Sequence, residues 1–134
     1  MYVFVYGTLT EPERADTVLG DDRYEFDGTA TLEGLQRVEG QYPTLAPGGG
    51  VDGRLLVVDE AGLERLDRYE GVDDGLYVRV SVPVVDRDES GHVYVGRPDR
   101  LGVASPVEWP DAEPFRDRVR RGLERSNAVV RPHE

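Results

Sequence analysis

Alternating and continuous apolar stretches predict the elements of the first part of the chain. Residues 2–6 (YVFVY) are apolar at every position and rich in β-branched and aromatic side chains, which indicates a central strand covered on both faces. The turn Gly7-Thr8-Leu9 then leads into a short helix. Thr10 and Glu13 have the spacing of a capping box at its start, and Gly20 ends it.

The next segment reads as short strands and turns. Residues 29–32 and 35–39 flank Gly34 and are expected to form short strands, and residues 51–59 have the apolar run Leu-Leu-Val-Val of a buried strand. Between them, residues 47–50 (PGGG) punctuate a loop. This loop is either a mobile lid or the connection of a hairpin, and typical loop lengths favour the hairpin.

A helix is predicted over residues 61–70, where Leu63 and Leu66 lie on one stripe and Gly71 marks the end. Because successive helical side chains rotate by about 100°, Glu70 projects onto the same apolar stripe as the two leucines. The helix therefore places a carboxylate where an apolar side chain is expected.

Residues 76–85 form the clearest strand, with residues 92–95 as an antiparallel partner across a polar turn. One face is apolar and comprises Leu76, Val78, Val80, Val82 and Val84. Tyr77, Arg79 and Ser81 share the opposite face.

The C-terminal third contributes one more helix. Residues 97–110 contain three prolines and look irregular, with Trp109 packed against the body of the protein. A helix is predicted over residues 112–125, capped by Asp111, and residues 127–134 read as a tail. Strands outnumber helices, so the fold class is α+β, mainly antiparallel, with a sheet able to curl into a barrel.

Length and composition narrow the function. The 134 residues fit a single domain, residues 1–134. The absence of cysteine excludes disulfides and thiolate nucleophiles, and the two histidines are too few and too scattered for a zinc site. No serine has the context of a catalytic triad. The chain shows no signal peptide and no stretch of bilayer length, so a cytoplasmic protein without membrane partners is expected.

Charge excludes another class of partner. The net charge is −11 and the pI about 4.6, and no basic patch is visible, so we expect no nucleic-acid binding. All 16 basic residues are arginine, against 27 acids. Such a lysine-free acidic surface is typical of proteins that work in concentrated salt, where screening weakens self-repulsion. A GC-rich genome would also favour arginine, and both explanations stay open.

Two features of the sequence, the acid at position 70 and the glycine turn after the first strand, suggest a catalytic or binding site. Loss of water and the negative end of the helix dipole both raise the pKa of a carboxylate at position 70, which suits Glu70 to proton transfer near neutral pH. The alternative is that Glu70 is solvated or paired with a neighbour such as Arg79. The glycine turn after the first strand exposes backbone N–H groups that can hold a carboxylate or phosphate, although it lacks nucleotide-binding spacing.

Several short motifs, taken in order, resemble one family. They are Val5-Tyr6-Gly7-Thr8-Leu9, Tyr42-Pro43, Val51-Asp52-Gly53, Leu66-Asp67-Arg68-Tyr69-Glu70-Gly71 and Leu76-Tyr77-Val78-Arg79. This order is similar to that of the γ-glutamylcyclotransferase-like proteins, which include the γ-glutamylamine cyclotransferases. Arg54 follows the third motif where an acidic residue is commoner, which leaves the recognised amine open.

The resemblance implies a small β-barrel decorated by short helices, with a pocket at its mouth and no cofactor. The implied substrate is a γ-glutamyl amide or peptide, whose own α-amine attacks the γ-carbonyl and releases 5-oxoproline and a free amine or amino acid. The backbone of Tyr6, Gly7, Thr8 and Leu9 would hold the glutamyl carboxylate. Glu70 would be the catalytic acid and base, and Tyr77 would line the pocket.

Two alternatives remain at this point. One is a noncatalytic domain that binds γ-glutamyl compounds or small carboxylates. The other is a biosynthetic relative that removes γ-glutamyl protecting groups by the same ring closure. Assembly as a homodimer is also left open.

Overall fold

The computed structural model describes residues 1–20, 24–103 and 107–133. Its strands are β1 (Tyr2–Val5), β2 (Tyr24–Val38), β3 (Thr44–Val58), β4 (Tyr77–Val82), β5 (Gly91–Gly96) and β6 (Val129–Pro132). Its α-helices are α1 (Pro12–Leu19), α2 (Glu60–Tyr69) and α3 (Phe115–Ser126), and a 3-10 turn covers Thr8–Thr10.

The six strands form a curled sheet in the order β4-β5-β1-β3-β2-β6. All neighbours pair antiparallel except β1 and β5, which are parallel. An isolated bridge between Val84 and Val130 links the two edges, and the Val85 N–H donates to the Val130 carbonyl at 2.9 Å. The predicted α+β class, with a mainly antiparallel and barrel-like sheet, is confirmed.

Both faces of the sheet are covered. Phe4 and Tyr6 belong to an inner cluster inside the curl, while Val3 and Val5 belong to an outer cluster. The two-sided burial predicted for the first strand is therefore confirmed. Helices α1 and α2 contribute to the outer cluster through Leu19, Leu63 and Leu66. The inner cluster takes Phe115, Val119 and Leu123 from α3, and it includes Trp109, as predicted.

The connection between β2 and β3 differs from the prediction. The two short strands around Gly34 are one long strand, and the glycines expected in a hairpin loop lie within β3. Gly48 and Gly49 have φ of 106° and 66°, and the register shifts between Glu33 and Leu35. Glycine tolerates these angles, so the irregularity is absorbed as a bulge and pairing resumes beyond it.

The ends of two helices also differ. Helix α3 begins at Phe115 after Pro114, not at residue 112 with Asp111 as its cap, because a residue preceding proline disfavours the helical conformation. The capping box is wrong as well, since α1 has Glu11 at its N-cap position without a side-chain bond. The Thr10 hydroxyl instead donates to the Gly7 carbonyl at 2.7 Å.

Two further expectations need correction. The predicted tail contains β6, which pairs with β2; Glu134 lies outside the described residues. Leu76 precedes β4 and packs against the outer cluster, whereas the four valines expected on its face lie in the inner cluster. The irregular stretch 97–110 is confirmed for residues 97–103 and 107–110, and residues 104–106 lie outside the described part.

Candidate active site

Glu70 stands at the end of α2. The Asp59 carboxylate caps the start of the helix by accepting from the Gly62 N–H at 2.8 Å, and the buried Leu66 fixes the helix on the sheet. The helix ends at Tyr69, Glu70 is its C-cap, and Gly71 follows with φ of 68°. The predicted helix end is confirmed.

The Glu70 carboxylate has no counter-ion among the residues that the structure describes. Arg79, named as a possible partner in the alternative interpretation, instead pairs with Asp67 at 3.1 Å, so the alternative of a Glu70–Arg79 pair is not supported. Within residues 1–20, 24–103 and 107–133, the Glu70 side chain makes no hydrogen bond and no ion pair. Burial raises the pKa of Glu70 from its ordinary 4.5 to about 7, because desolvation penalises the charged form.

A pocket of about 360 Å³ lies beside this carboxylate. Its wall brings together all the site residues named from the sequence, namely Tyr6, Gly7, Thr8, Leu9, Glu70 and Tyr77. The strand β1, the turn after it, the end of α2 and the start of β4 supply them. Residues more than sixty positions apart thus meet at one cavity, with the acid and the glycine turn on a shared wall.

The turn after β1 has unused donors. The Thr10 N–H closes the 3-10 turn on the Gly7 carbonyl at 3.1 Å. The N–H groups of Gly7, Thr8 and Leu9 have no backbone acceptor in the described parts of the chain, as expected for the first residues of a helical turn. These residues line the pocket, and backbone donors without a partner can hold an anionic group.

Two buried tyrosines support the wall. The Tyr6 hydroxyl donates to the Tyr94 carbonyl at 2.6 Å, and the Tyr77 hydroxyl donates to the Pro43 carbonyl at 2.7 Å. Burial, with the nearby charge of Glu70 as a smaller cause, raises the pKa of both phenols above their ordinary value. Both therefore remain neutral hydrogen-bond donors around the acid.

The pocket also contains residues that were not named as site residues from the sequence. Val5, Tyr42, Pro43, Tyr69 and Leu76 belong to the quoted motifs, whereas Phe4, Arg14 and Tyr94 do not. Tyr69 and Thr8 share a hydrogen bond of 3.0 Å between their hydroxyls, which joins the end of α2 to the glycine turn. The Tyr94 hydroxyl donates to Asp67 at 2.7 Å. Tyr94 pairs with Arg79 across β4 and β5, so the correct hairpin register would have revealed it.

The described residues contain no group of three or more His, Asp and Glu side chains arranged to hold a metal ion. Among the helices of the described segments, none has both the length and the apolar character needed to span a membrane.

The protein is a small α+β protein with a curled sheet and a pocket that contains a buried carboxylate. Comparisons with known proteins identify the family to which it belongs. The family model "Gamma-glutamyl cyclotransferase, AIG2-like" matches residues 3–111. The chain belongs to this γ-glutamyl cyclotransferase, AIG2-like family, as the order of its motifs predicted.

Individual relatives agree with this assignment. AIG2-like protein A of Arabidopsis thaliana is 36% identical over 121 residues, which cover 80% of this chain and 70% of the relative. A solved mouse AIG2-like protein is 28% identical with a TM-score of 0.58, covering 84% of this chain and 89% of its own. A solved γ-glutamyl cyclotransferase superposes with a TM-score of 0.61 over 94% of this chain and 79% of its own. At 19% identity, this last likeness shows the fold alone.

Proposed function

We propose that this protein is a cyclotransferase that releases 5-oxoproline and an amine or amino acid from a γ-glutamyl amide or peptide. One observation carries the proposal. Glu70, unpaired within the described residues and with its pKa raised by burial to about 7, shares a pocket with backbone N–H groups that have no partner there. A proton acceptor and an anion cradle are the two parts that this ring closure requires.

The glycine turn would hold the substrate by its α-carboxylate. Backbone N–H groups from Gly7, Thr8 and Leu9 would donate to the carboxylate oxygens, and charge-assisted bonds of this kind are stronger than neutral ones. Tyr77, fixed by its bond to Pro43, would confine the glutamyl chain against the opposite wall. A substrate held in this way is folded back so that its amine meets its own γ-carbonyl.

Glu70 would then move protons. Its carboxylate takes one proton from the α-ammonium, and the freed amine attacks the γ-carbonyl carbon to form the new C–N bond. The ring nitrogen loses a second proton, the carbonyl re-forms, and the bond to the leaving nitrogen breaks. Both protons end on the departing nitrogen, which leaves as an ammonium ion. A carboxyl with a pKa near neutral can accept and return protons with similar ease.

Little further machinery is needed. Closure of a five-membered ring within one molecule has a high effective concentration, provided that the reacting atoms are held in contact. The protein therefore has to fold the substrate and transfer protons, and Glu70 with the glycine turn would supply both functions.

Substitution of Glu70 by glutamine tests the proposal. Glu70→Gln keeps the shape of the side chain but cannot accept the proton, so we expect turnover to fall by about 100-fold or more. Formation of 5-oxoproline from a panel of γ-glutamyl compounds measures it. Glu64→Gln is the matched control, because Glu64 is an exposed acid on the same helix.

The outcomes separate the candidate functions. Equal turnover in wild-type protein and Glu70→Gln would remove Glu70 as the base. Binding of γ-glutamyl compounds without product in the wild-type protein would favour the noncatalytic carboxylate-binding domain. Product from only a γ-glutamyl-protected biosynthetic intermediate would favour the deprotecting relative.

A further inference from the structure

A groove rich in arginine adjoins the pocket of Glu70. Its lining comes from α1 (Arg14, Thr17 and Val18) and from α2 (Arg65, Arg68 and Tyr69). Arg14 and Tyr69 also line the pocket. A ligand that extends out of the pocket past these two residues therefore enters the groove, which we call the arginine groove.

Helical geometry explains why the arginines converge. In each helix the lining residues have the spacing i, i+3, i+4, which places them on one side of the helix. Helices α1 and α2 pack against each other, so these sides face a common groove. Among the described residues, the groove has three arginines and no acid in its lining, although the chain has 27 acids and 16 basic residues. A local positive surface therefore lies beside the pocket of an acidic protein.

Two of these arginines have no partner among the residues described. Across the described residues, neither the Arg14 nor the Arg68 side chain makes a hydrogen bond or an ion pair. Other arginines near the pocket are engaged, since Arg54 donates to the Thr10 carbonyl at 2.9 Å and stacks on the Phe26 ring at 3.7 Å. The guanidinium groups of Arg14 and Arg68 are therefore available to bind an anion.

We propose that the arginine groove binds a carboxylate carried by the leaving amine. This inference rests on the function proposed above. The substrate would then be a γ-glutamyl amino acid or short γ-glutamyl peptide rather than a neutral γ-glutamyl alkylamine. Arg14 would form the first contact because it lines both the pocket and the groove. The planar guanidinium matches a carboxylate with two parallel hydrogen bonds, and the local charge would attract an anion that the rest of the surface repels.

A matched pair of substrates isolates this contact. γ-Glutamylalanine and γ-glutamylethylamide differ only by the carboxylate of the leaving group. The measured quantity is the ratio of kcat/KM for the first compound to that for the second. We expect Arg14→Gln to lower this ratio by about 10-fold or more, the usual scale for losing a hydrogen bond between charged groups, mainly through a higher KM for γ-glutamylalanine.

Two controls accompany the variant. Arg116→Gln removes the same charge from an exposed position on α3, away from the lining of the pocket and groove, and should leave the ratio unchanged. Arg14→Lys keeps the charge without the planar fork and should lower the ratio by less than Arg14→Gln. An unchanged ratio in Arg14→Gln, with product still formed, overturns the inference and leaves the proposed function intact.

A binding measurement separates the two proposals. If no γ-glutamyl compound of the panel yields 5-oxoproline, the proposed function fails, and calorimetric titration with γ-glutamylalanine then tests the arginine groove alone. A Kd raised about 10-fold in Arg14→Gln relative to wild-type protein supports the carboxylate site. Equal affinity, or no binding to either protein, overturns it.

Discussion

At the scale of single residues, the pKa of Glu70 is raised because the carboxylate is buried and forms no ion pair within the described residues. Arg79 pairs with Asp67 at 3.1 Å. Arg37 donates to the Tyr6 carbonyl at 2.9 Å and pairs with Glu39. Burial of the Glu70 carboxylate is therefore not offset by a bound positive charge, and its pKa rises to about 7.

This shift predicts how stability depends on pH. The folded protein holds the Glu70 proton with a pKa of about 7 against an ordinary value of 4.5, so the folded state binds the proton more tightly. The stability that this group contributes is fully present below about pH 4.5 and is lost as the pH rises through 7. The loss in unfolding free energy is up to about 3 kcal/mol. Glu70→Gln has no such loss. The unfolding free energy of this variant relative to that of the wild-type protein should therefore be higher at pH 8 than at pH 5.

Urea unfolding at the two pH values measures this gain. Glu64→Gln, on the exposed side of the same helix, should differ from wild-type protein by a similar amount at both. If the difference between Glu70→Gln and wild-type protein is the same at pH 5 and pH 8, the raised pKa of Glu70 is wrong.

The sequence was enough to predict the position of Glu70, but not the contacts that keep Arg79 from pairing with it. The helical period and the glycine at position 71 placed the acid because both depend on local sequence. The partner of Arg79 could not be predicted from local sequence. Asp67 contacts Arg79 and Tyr94 only after α2 packs on β4 and β5. Arg14 was missed for the same reason, because its role depends on where α1 lies beside α2.

At the scale of elements, the last turn of α2 is tied to the sheet by Asp67. Its carboxylate accepts from the Tyr94 hydroxyl at 2.7 Å and pairs with Arg79 at 3.1 Å. Asp67 lies three residues before Glu70, hence about one turn away on the helix. These contacts on β4 and β5 therefore fix the segment that presents Glu70 to the pocket.

Substitution of Asp67 should change both stability and the protonation of Glu70. Asp67→Asn weakens the bond from Tyr94 and removes the counter-ion of Arg79, so we expect a loss of about 1 to 3 kcal/mol in unfolding free energy. The uncompensated Arg79 charge should also lower the pKa of Glu70. The acid limb of the pH profile of kcat/KM for 5-oxoproline formation should then move to lower pH.

Asp73→Asn is the matched control for this prediction. It removes an equal charge from an exposed position shortly after Glu70, and it should leave the acid limb in place. A destabilised Asp67→Asn variant with an unchanged acid limb would mean that Asp67 only holds the helix and does not control the charge near Glu70.

The elements predicted correctly are those whose pattern is local. β1, β4 and the stripe of α3 follow from short periodic runs. The long hairpin of β2 and β3 was missed because Gly48 and Gly49 indicate a loop, whereas the paired strand accommodates their positive φ as a bulge. β6 was missed because a four-residue strand is recognisable only from its pairing with β2.

At the scale of the whole molecule, charge is unevenly distributed. The chain carries a net charge of −11, yet the lining of the arginine groove, as far as the structure describes it, has three arginines and no acid. The excess of acidic groups makes most of the surface repel anions, and the surface carboxylates also repel one another. The self-repulsion disfavours the compact state, which links the acidic composition to the effect of salt on folding.

We therefore predict that salt stabilises this protein. The Debye length falls from about 10 Å at 0.1 M to about 3 Å at 1 M ionic strength, so repulsion between surface carboxylates weakens over that range. The Tm at pH 7 should rise as KCl is added from dilute buffer to molar concentration. The gain should be much smaller near pH 4.6, the pI, because the net charge vanishes there and little repulsion remains to be screened. A Tm that stays constant with KCl at pH 7 would contradict the concentrated-salt explanation and favour base composition as the source of the arginines.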